Sequence, residues 1–290
     1  MLKTVSHFHS WDAMPEPVLE KTFAGFAAND LRYLSLNGEG SARLLGEDGY
    51  AEFLRNACRK YGVGFLNCHA PHMPGWELNL PDPMVLKRHL RLLDFYAELG
   101  CETVTVHAGT NDSGEPLGAL RERTCRSLEA LIRRAGELRI VIVLENTIFP
   151  TDTPKELLGY MARFRCDAFG LCFDAGHANL MDGFPGKRSA DMVEWIFRRW
   201  NGNIRFEADT LGQLLPDVVT CHLHDNDGFD DQHKLPGEGS IDWPRLLARL
   251  EGAPRLRSFQ NECDHLRYGI PGSRIAECFQ KLTEKIAVAI

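Results

Sequence analysis

Absences bound the problem first. No run in the 290-residue chain is apolar for the length needed to cross a bilayer, and the opening MLKTVSHFHS has no apolar core of signal-peptide length. Both point to a soluble, cytoplasmic protein with no membrane partner. The nine cysteines include no Cys-x-x-Cys pair, their number is odd, and several (Cys101, Cys172, Cys221, Cys263) sit in or beside apolar runs. That pattern argues against a disulfide framework and reads as reduced, buried thiols. Positive charge is not in excess: 33 Lys and Arg against 40 Asp and Glu leave −7, which weighs against a large nucleic-acid footprint. Repeats, low-complexity tracts and interdomain linkers are missing, so residues 1–290 are read as a single domain. A Gly-rich phosphate turn after the first strand is missing as well, which disfavours a doubly wound open sheet.

What is present alternates. Short β-rich apolar runs predict strands at Leu2–Phe8, Leu31–Leu36, Val63–His69, Thr103–His107, Ile140–Glu145, Phe169–Asp174, Val218–His224 and Leu256–Glu262. Between them lie apolar stripes at helical spacing. One runs from Tyr50 to Tyr61 and closes on Gly62, one from Leu86 to Leu99 and closes on Gly100, and one from Leu120 to Leu138. Thr153-Pro-Lys-Glu156 reads as a capping box, Ala190–Trp200 as a helix, Asp242 as the cap of a helix through Leu250, and Ser273 as the start of the last helix. Strand then helix, eight times over, is the pattern of an α/β protein built as a single (β/α)8 TIM barrel. The long connection from Leu180 to Pro216 predicts an extra helix or lid over the barrel mouth.

The stretch Val218–Trp243 is the densest in chemistry. Period-two alternation puts His222 and His224 on one face of a strand, and Asp231-x-His233 follows in an acidic loop. Imidazole and carboxylate together are what a divalent cation takes as ligands. The other strand ends repeat the theme: Cys68-His69, Val106-His107, Leu144-Glu145-Asn146, Phe173-Asp174-Ala-Gly-His177 and Asn261-Glu262. A single histidine at a strand end is more often a hydrogen-bonded core residue, and a lone Asp174-x-x-His177 is a helix cap. Six such ends in one barrel are accounted for together by one metal centre, because C-terminal strand ends share a common mouth. Glu145 is the hardest to explain otherwise, since a carboxylate closing a five-residue apolar run is costly to bury unpaired. His7 and His9 fall near that mouth without being read as ligands. Trp11, Trp76, Phe184 and Trp243 are the candidates for sugar-stacking walls, with at least half of them expected to be core or surface aromatics instead.

At these residues the chain resembles the xylose isomerase-like barrel superfamily, which holds sugar isomerases and epimerases and the endonuclease IV type of DNA-repair enzyme. The resemblance is carried by Cys68-His69-Ala70-Pro71, Val106-His107-Ala108-Gly109, Leu144-Glu145-Asn146, Phe173-Asp174-Ala175-Gly176-His177, His222-Leu223-His224-Asp225-Asn226, Pro236-Gly237-Glu238-Gly239 and Glu262. It implies a divalent ion, Mn²⁺ or Zn²⁺ first and Mg²⁺ or Co²⁺ next, held by Glu145, Asp174, His222 and Glu262. The endonuclease IV pattern of three zinc ions adds His69, His107, His177, Asp231 and His233, and His233 stands where ketohexose epimerases carry an arginine. Other departures point the opposite way. Thr147-Ile-Phe-Pro150 and Val5-Ser-His-Phe-His9 replace endonuclease motifs, and the stretch Asn37–Leu45 lacks the basic and aromatic loops that enter DNA.

The reading drawn from the resemblance is a metal-dependent isomerase or epimerase of a small sugar. Proton transfer runs through a metal-stabilised enediolate, with Glu145 and Glu262 as the acid–base pair and His177, His233 and His69 on substrate hydroxyls. An endonuclease IV-like phosphodiesterase acting on abasic DNA is the alternative, and a non-catalytic sugar or metal sensor the third reading. The expected partner is a small sugar rather than nucleic acid, and a homo-oligomer is compatible with the sequence.

Overall fold

In the computed structural model, which describes residues 4–8, 15–72 and 74–288, the β-rich runs are eight parallel strands closed into a barrel in chain order. They are β1 (Thr4–Phe8), β2 (Tyr33–Leu36), β3 (Gly64–His69), β4 (Thr103–Val106), β5 (Val141–Glu145), β6 (Phe169–Asp174), β7 (Val218–Leu223) and β8 (Ser258–Asn261). The ring closes where β1 pairs with β8, Thr4 opposite Ser258 and His7 opposite Asn261. The predicted (β/α)8 barrel is therefore the fold observed. His9 and Trp11 lie outside the described residues.

The helices are α1 (Glu16–Ala28), α2 (Gly38–Gly46), α3 (Tyr50–Tyr61), α4 (Pro83–Leu99), α5 (Leu117–Leu138), α6 (Pro154–Phe164), α7 (Ala175–Met181), α8 (Glu194–Arg199), α9 (Thr210–Leu214), α10 (Trp243–Leu250) and α11 (Gly272–Val288). α3 and α4 stop where Gly62 and Gly100 enter the left-handed region, φ 63° and 85°, which only glycine adopts without cost. Two expectations need correcting. Thr153 is the N-cap of α6, but its hydroxyl makes no capping bond, and the Glu156 side chain that would complete the box is in a bidentate pair with Arg121 at 2.6 Å. The predicted Ala190–Trp200 helix is a 3₁₀ turn, Ser189–Asp191, followed by the six-residue α8.

Alternation along the strands decides what each face does. On β5, Ile142 and Leu144 join the large cluster under the helices, whereas Val141 and Val143 pack with Cys172 and Val219 inside the ring. Glu145 continues the inward set. β4 repeats this with Val104 and Val106 outward and Thr103 and Thr105 inward, and β8 with Phe259 outward and Ser258 and Gln260 inward. The inward side chains are largely polar and bond across the ring: Ser35 to Gln260 at 2.7 Å, Ser258 to Asn67 at 3.3 Å, Asn67 to Thr220 at 3.4 Å. The layer above them, at the C-terminal mouth, is made of histidines and carboxylates.

The connection after α7 is a packed cover. Met192, Ile196 and Ile204 form a separate apolar cluster with Ile148, Phe149, Leu180 and Met181. Lys187 Nζ donates to the carbonyls of Asn179, Leu180 and Asp182 at 3.0, 2.6 and 3.0 Å, tying the cover to the end of α7. Among the described residues no helix is long and apolar enough to cross a membrane.

Candidate metal centre

Because strand parity is fixed from below, six consecutive strands deliver His69, His107, Glu145, Asp174, His222 and Glu262 into one space, all of them buried. Glu145 Oε2 is the hub. It lies 3.0 Å from His107 Nε2, 3.3 Å from His69 Nε2 and 3.3 Å from His222 Nδ1. His222 Nδ1 is also 3.0 Å from Glu262 Oε1 and 3.7 Å from Asp174 Oδ2. Ligand atoms of Glu145, Asp174, His222 and Glu262 thus fall within 4.8 Å of one another. Three further groups do the same: His69 with Glu145 and His222, His69 with His72 and His107, and His177 with His224, Asp231 and His233. In the last of these, His177 Nε2 and His233 Nε2 each stand 3.4 Å from Asp231 Oδ2.

These residues fit a divalent ion on chemistry as well as spacing. His222, His69, His177 and His233 each have one ring nitrogen engaged from behind, which turns the other toward the mouth. His222 Nε2 lies 3.2 Å from the Thr105 hydroxyl, and the Nδ1 atoms of His69, His177 and His233 lie 2.9, 3.1 and 2.8 Å from the carbonyls of Ala70, Asn146 and Glu262. His222 Nδ1 is itself buried and has no hydrogen-bond partner, although three carboxylates surround it. The carboxylates are oriented too: Gln260 Nε2 donates to Glu262 Oε1 at 2.7 Å, and Asp174 accepts from His177 N at 2.6 Å.

Electrostatics follow from the packing. Burial pushes the Glu145 carboxyl up, but His222 and His107 together hold it well below the ordinary carboxylate range. Glu262 is likewise raised by burial and brought down by His222 to about 2. Burial opposes protonation of His222, yet Cys172, Glu262 and Glu145 lift it well above its ordinary value. Asp231 raises His233 to about 10 against its burial. A cation binding here would compete with protons on these imidazoles.

The roles of several residues were not legible in the sequence. His224 shares a face with His222 as expected, but its role is local: Nε2 sits 3.1 Å from Asp174 Oδ1 and the ring stacks on His233, 3.8 Å between centroids and 5° between planes. Gly176 makes this possible, because a Cβ there would stand 2.0 Å from His224 Cε1. His72 packs against His107 with ring centroids 4.4 Å apart, and burial lowers its pKa to about 2. Nothing periodic marked it. Asp225, which the sequence shows only as part of the His222–Asn226 motif, is a buried organiser that accepts from Gly237 N at 2.8 Å and Trp243 Nε1 at 2.7 Å.

The aromatic expectations fare differently. Trp243 is a core residue held by Asp225, Trp76 packs on the core beneath the Arg88 guanidinium at 4.3 Å, and Phe184 leans on Phe229. None of the three lines the cavity over the ligand cluster. That cavity, about 200 Å³, is lined instead by Trp195 and Phe149, together with His69, His177, His233 and Glu262. His7 is a buried core histidine between Phe26 and Phe279, with burial depressing its pKa to about 3.

With this geometry, the chain resembles known proteins over nearly its whole length. A crystal structure described as a D-tagatose 3-epimerase-like protein superposes with a TM-score of 0.70 at 20% identity, covering 97% of this chain and 99% of that one. A Thermus thermophilus protein soaked with zinc chloride gives 0.65 at 24% identity, covering 97% and 98%. In sequence, an uncharacterized protein of Methanocaldococcus jannaschii, MJ1311, is 27% identical over 201 residues, which are 66% of this chain and 60% of that protein. The chain spans about half the length of the curated relatives it matches. The model of the xylose isomerase-like TIM barrel family matches residues 24–254, and the chain belongs to that family.

Proposed function

We propose that the chain is a divalent-metal-dependent isomerase or epimerase of a small sugar or sugar derivative. The observation that carries this reading is the convergence of Glu145, Asp174, His222 and Glu262 ligand atoms within 4.8 Å, beneath a cavity of about 200 Å³. These four residues would hold the ion. Bound there, a divalent cation supplies Lewis acidity, making the C–H beside a sugar carbonyl acidic enough to lose its proton.

The chain's own groups do the rest. The low pKa values of Glu145 and Glu262 keep both carboxylates ionised at neutral pH, so either can accept the substrate proton. One takes it from one face of the carbon, and the other returns a proton on the opposite face. His177, His233 and His69 line the same cavity with polar edges toward substrate hydroxyls, while Phe149 and Trp195 exclude water. A depressed carboxylate is a weak base, which is why the reaction needs the acidifying ion.

An endonuclease IV-like reading keeps one observation in its favour. The His69–His107 and His177–Asp231–His233 groups complete the residue set for two further ions. Against it stand the net charge of −7 and the apolar Ile148-Phe149 where that family has a Gly-rich turn. One experiment separates the two. Metal-replete protein is incubated in heavy water with a panel of ketoses and, in parallel, with abasic-site duplex DNA, and bound metal is counted. Deuterium entering a sugar carbon, lost in Glu262→Gln, supports the isomerase. DNA nicking with three ions per chain and no exchange into any sugar overturns it.

A further inference from the structure

A second cavity of about 990 Å³ lies beside the ligand-lined one, and Trp195 lines both. The partition between them is short. Ile148 and Phe149 face the inner space and Pro150 the outer, all on the loop that leaves β5 directly after Glu145. α8 and the turn after it complete the wall: Trp200 Nε1 donates to the Ile148 carbonyl at 2.8 Å, and the Arg199 guanidinium lies 5.4 Å from the Phe149 ring centroid. At about 200 Å³ the inner space falls below the roughly 300 Å³ at which ordinary small-molecule sites begin, which suits a single small unit. The outer space is several times larger.

The chemistry of the outer cavity decides what it would take. Its five cations (Arg121, Lys155, Arg198, Arg199 and Arg205) share the lining with four carboxylates (Asp112, Glu115, Glu156 and Glu207), and three of the cations are paired: Arg121 bidentately with Glu156, Arg199 with Asp112, and Arg198 with Glu194. Such a surface does not favour a phosphate or another strong anion. What remains on offer is flat and polar. Trp195 is 44% exposed at the junction, and Asn201, Asn203, Arg205 and Glu207, whose side chains carry planar donors and acceptors, line the same space. Aromatic faces beside planar hydrogen-bonding groups match a neutral polyhydroxyl ring, apolar on its C–H face and polar at its rim.

We infer that the outer cavity is a second sugar subsite, so that the reacting unit over Glu145 and Glu262 is one end of a glycoside rather than a free monosaccharide. This rests on the isomerase reading above for the chemistry at the inner unit, but not for the binding itself. The test is calorimetric binding of D-fructose and of ketodisaccharides with a fructose end (turanose, maltulose, lactulose, isomaltulose) to metal-replete protein. At least one ketodisaccharide is expected to bind about tenfold or more tightly than D-fructose, and both Trp195→Ala and Arg205→Ala should erase that preference. The proposal is overturned if no ketodisaccharide binds more tightly than D-fructose, or if the preference survives both substitutions. Deuterium exchange on the same samples keeps the two readings apart. A preference that depends on Trp195, without exchange, supports the subsite and counts against the isomerase. Exchange into D-fructose with no preference for any disaccharide leaves the isomerase and sinks the subsite.

Discussion

The two faces of each strand follow opposite rules. Outward residues such as Leu144, Phe173 and Phe259 are apolar, and their burial under the helices holds the ring together. Inward residues become more polar toward the mouth, from Val143 to Glu145, Cys172 to Asp174, and Gln260 to Glu262. Buried ionisable groups cost stability unless each is paired, and here they pair with one another. Neighbouring positions one residue apart therefore serve different ends: Leu144 serves the fold and Glu145 the chemistry. Substitution at adjacent residues is the way to break that contrast.

The largest effect is expected at Glu262. Glu262→Gln should lower the rate of solvent-deuterium exchange into substrate by about 10²–10⁴-fold, and the urea midpoint should fall as well, because His222 loses a carboxylate partner that the fold holds ionised. Its outward counterpart is Leu144→Ala. This should destabilise the protein by about 2–5 kcal/mol in urea unfolding, with bound metal per folded chain unchanged. A loss of metal in that variant would mean the two faces are not separable.

Thr105→Val probes the polar layer below the mouth. It removes the hydroxyl 3.2 Å from His222 Nε2, and metal affinity measured by competition with a chelator should fall by about 10- to 100-fold. The smallest effect is expected from Asp152, a buried carboxyl that accepts from Ala108 N and the Thr147 hydroxyl at 3.1 and 2.9 Å. Burial raises its pKa to about 7. Because the folded protein holds that proton more tightly than the unfolded chain, its contribution to stability is full below roughly pH 4 and is lost as pH rises through about 7. Asp152→Asn should flatten this part of the stability–pH curve, and an unchanged slope would remove Asp152 as its source.

The same contrast explains what the sequence made legible. Outward faces are periodic, so strands and long helices could be read: β6 is Phe169–Asp174 end to end, and the stripe from Tyr50 to Tyr61 is α3. Ligands at strand ends could be read because the barrel brings those ends together. α2 had little chance, since it opens Gly38-Glu-Gly and depends on the Asn37 side chain accepting from Glu39 N and Gly40 N at 3.0 Å. α7 is too short for a stripe, and its N-cap, Asp174, is the last residue of β6. His72 and Trp195 sit in connections, where no period exists and position depends on contacts distant in sequence. Trp243 lies in the core for a related reason: Asp225, 18 residues earlier in the chain, draws its Nε1 inward to order the loop.

The pairing of β1 with β8 sets a condition on biosynthesis. Thr4 and Ser258 are partners across nearly the entire chain, so the ring closes only after the last strand has left the ribosome. A chain truncated before Ser258 would lack β8 and Glu262, leaving β1 and β7 as unpaired edges that invite association with other chains. Translation that stops early thus yields an aggregation-prone product rather than a weakened version of the whole.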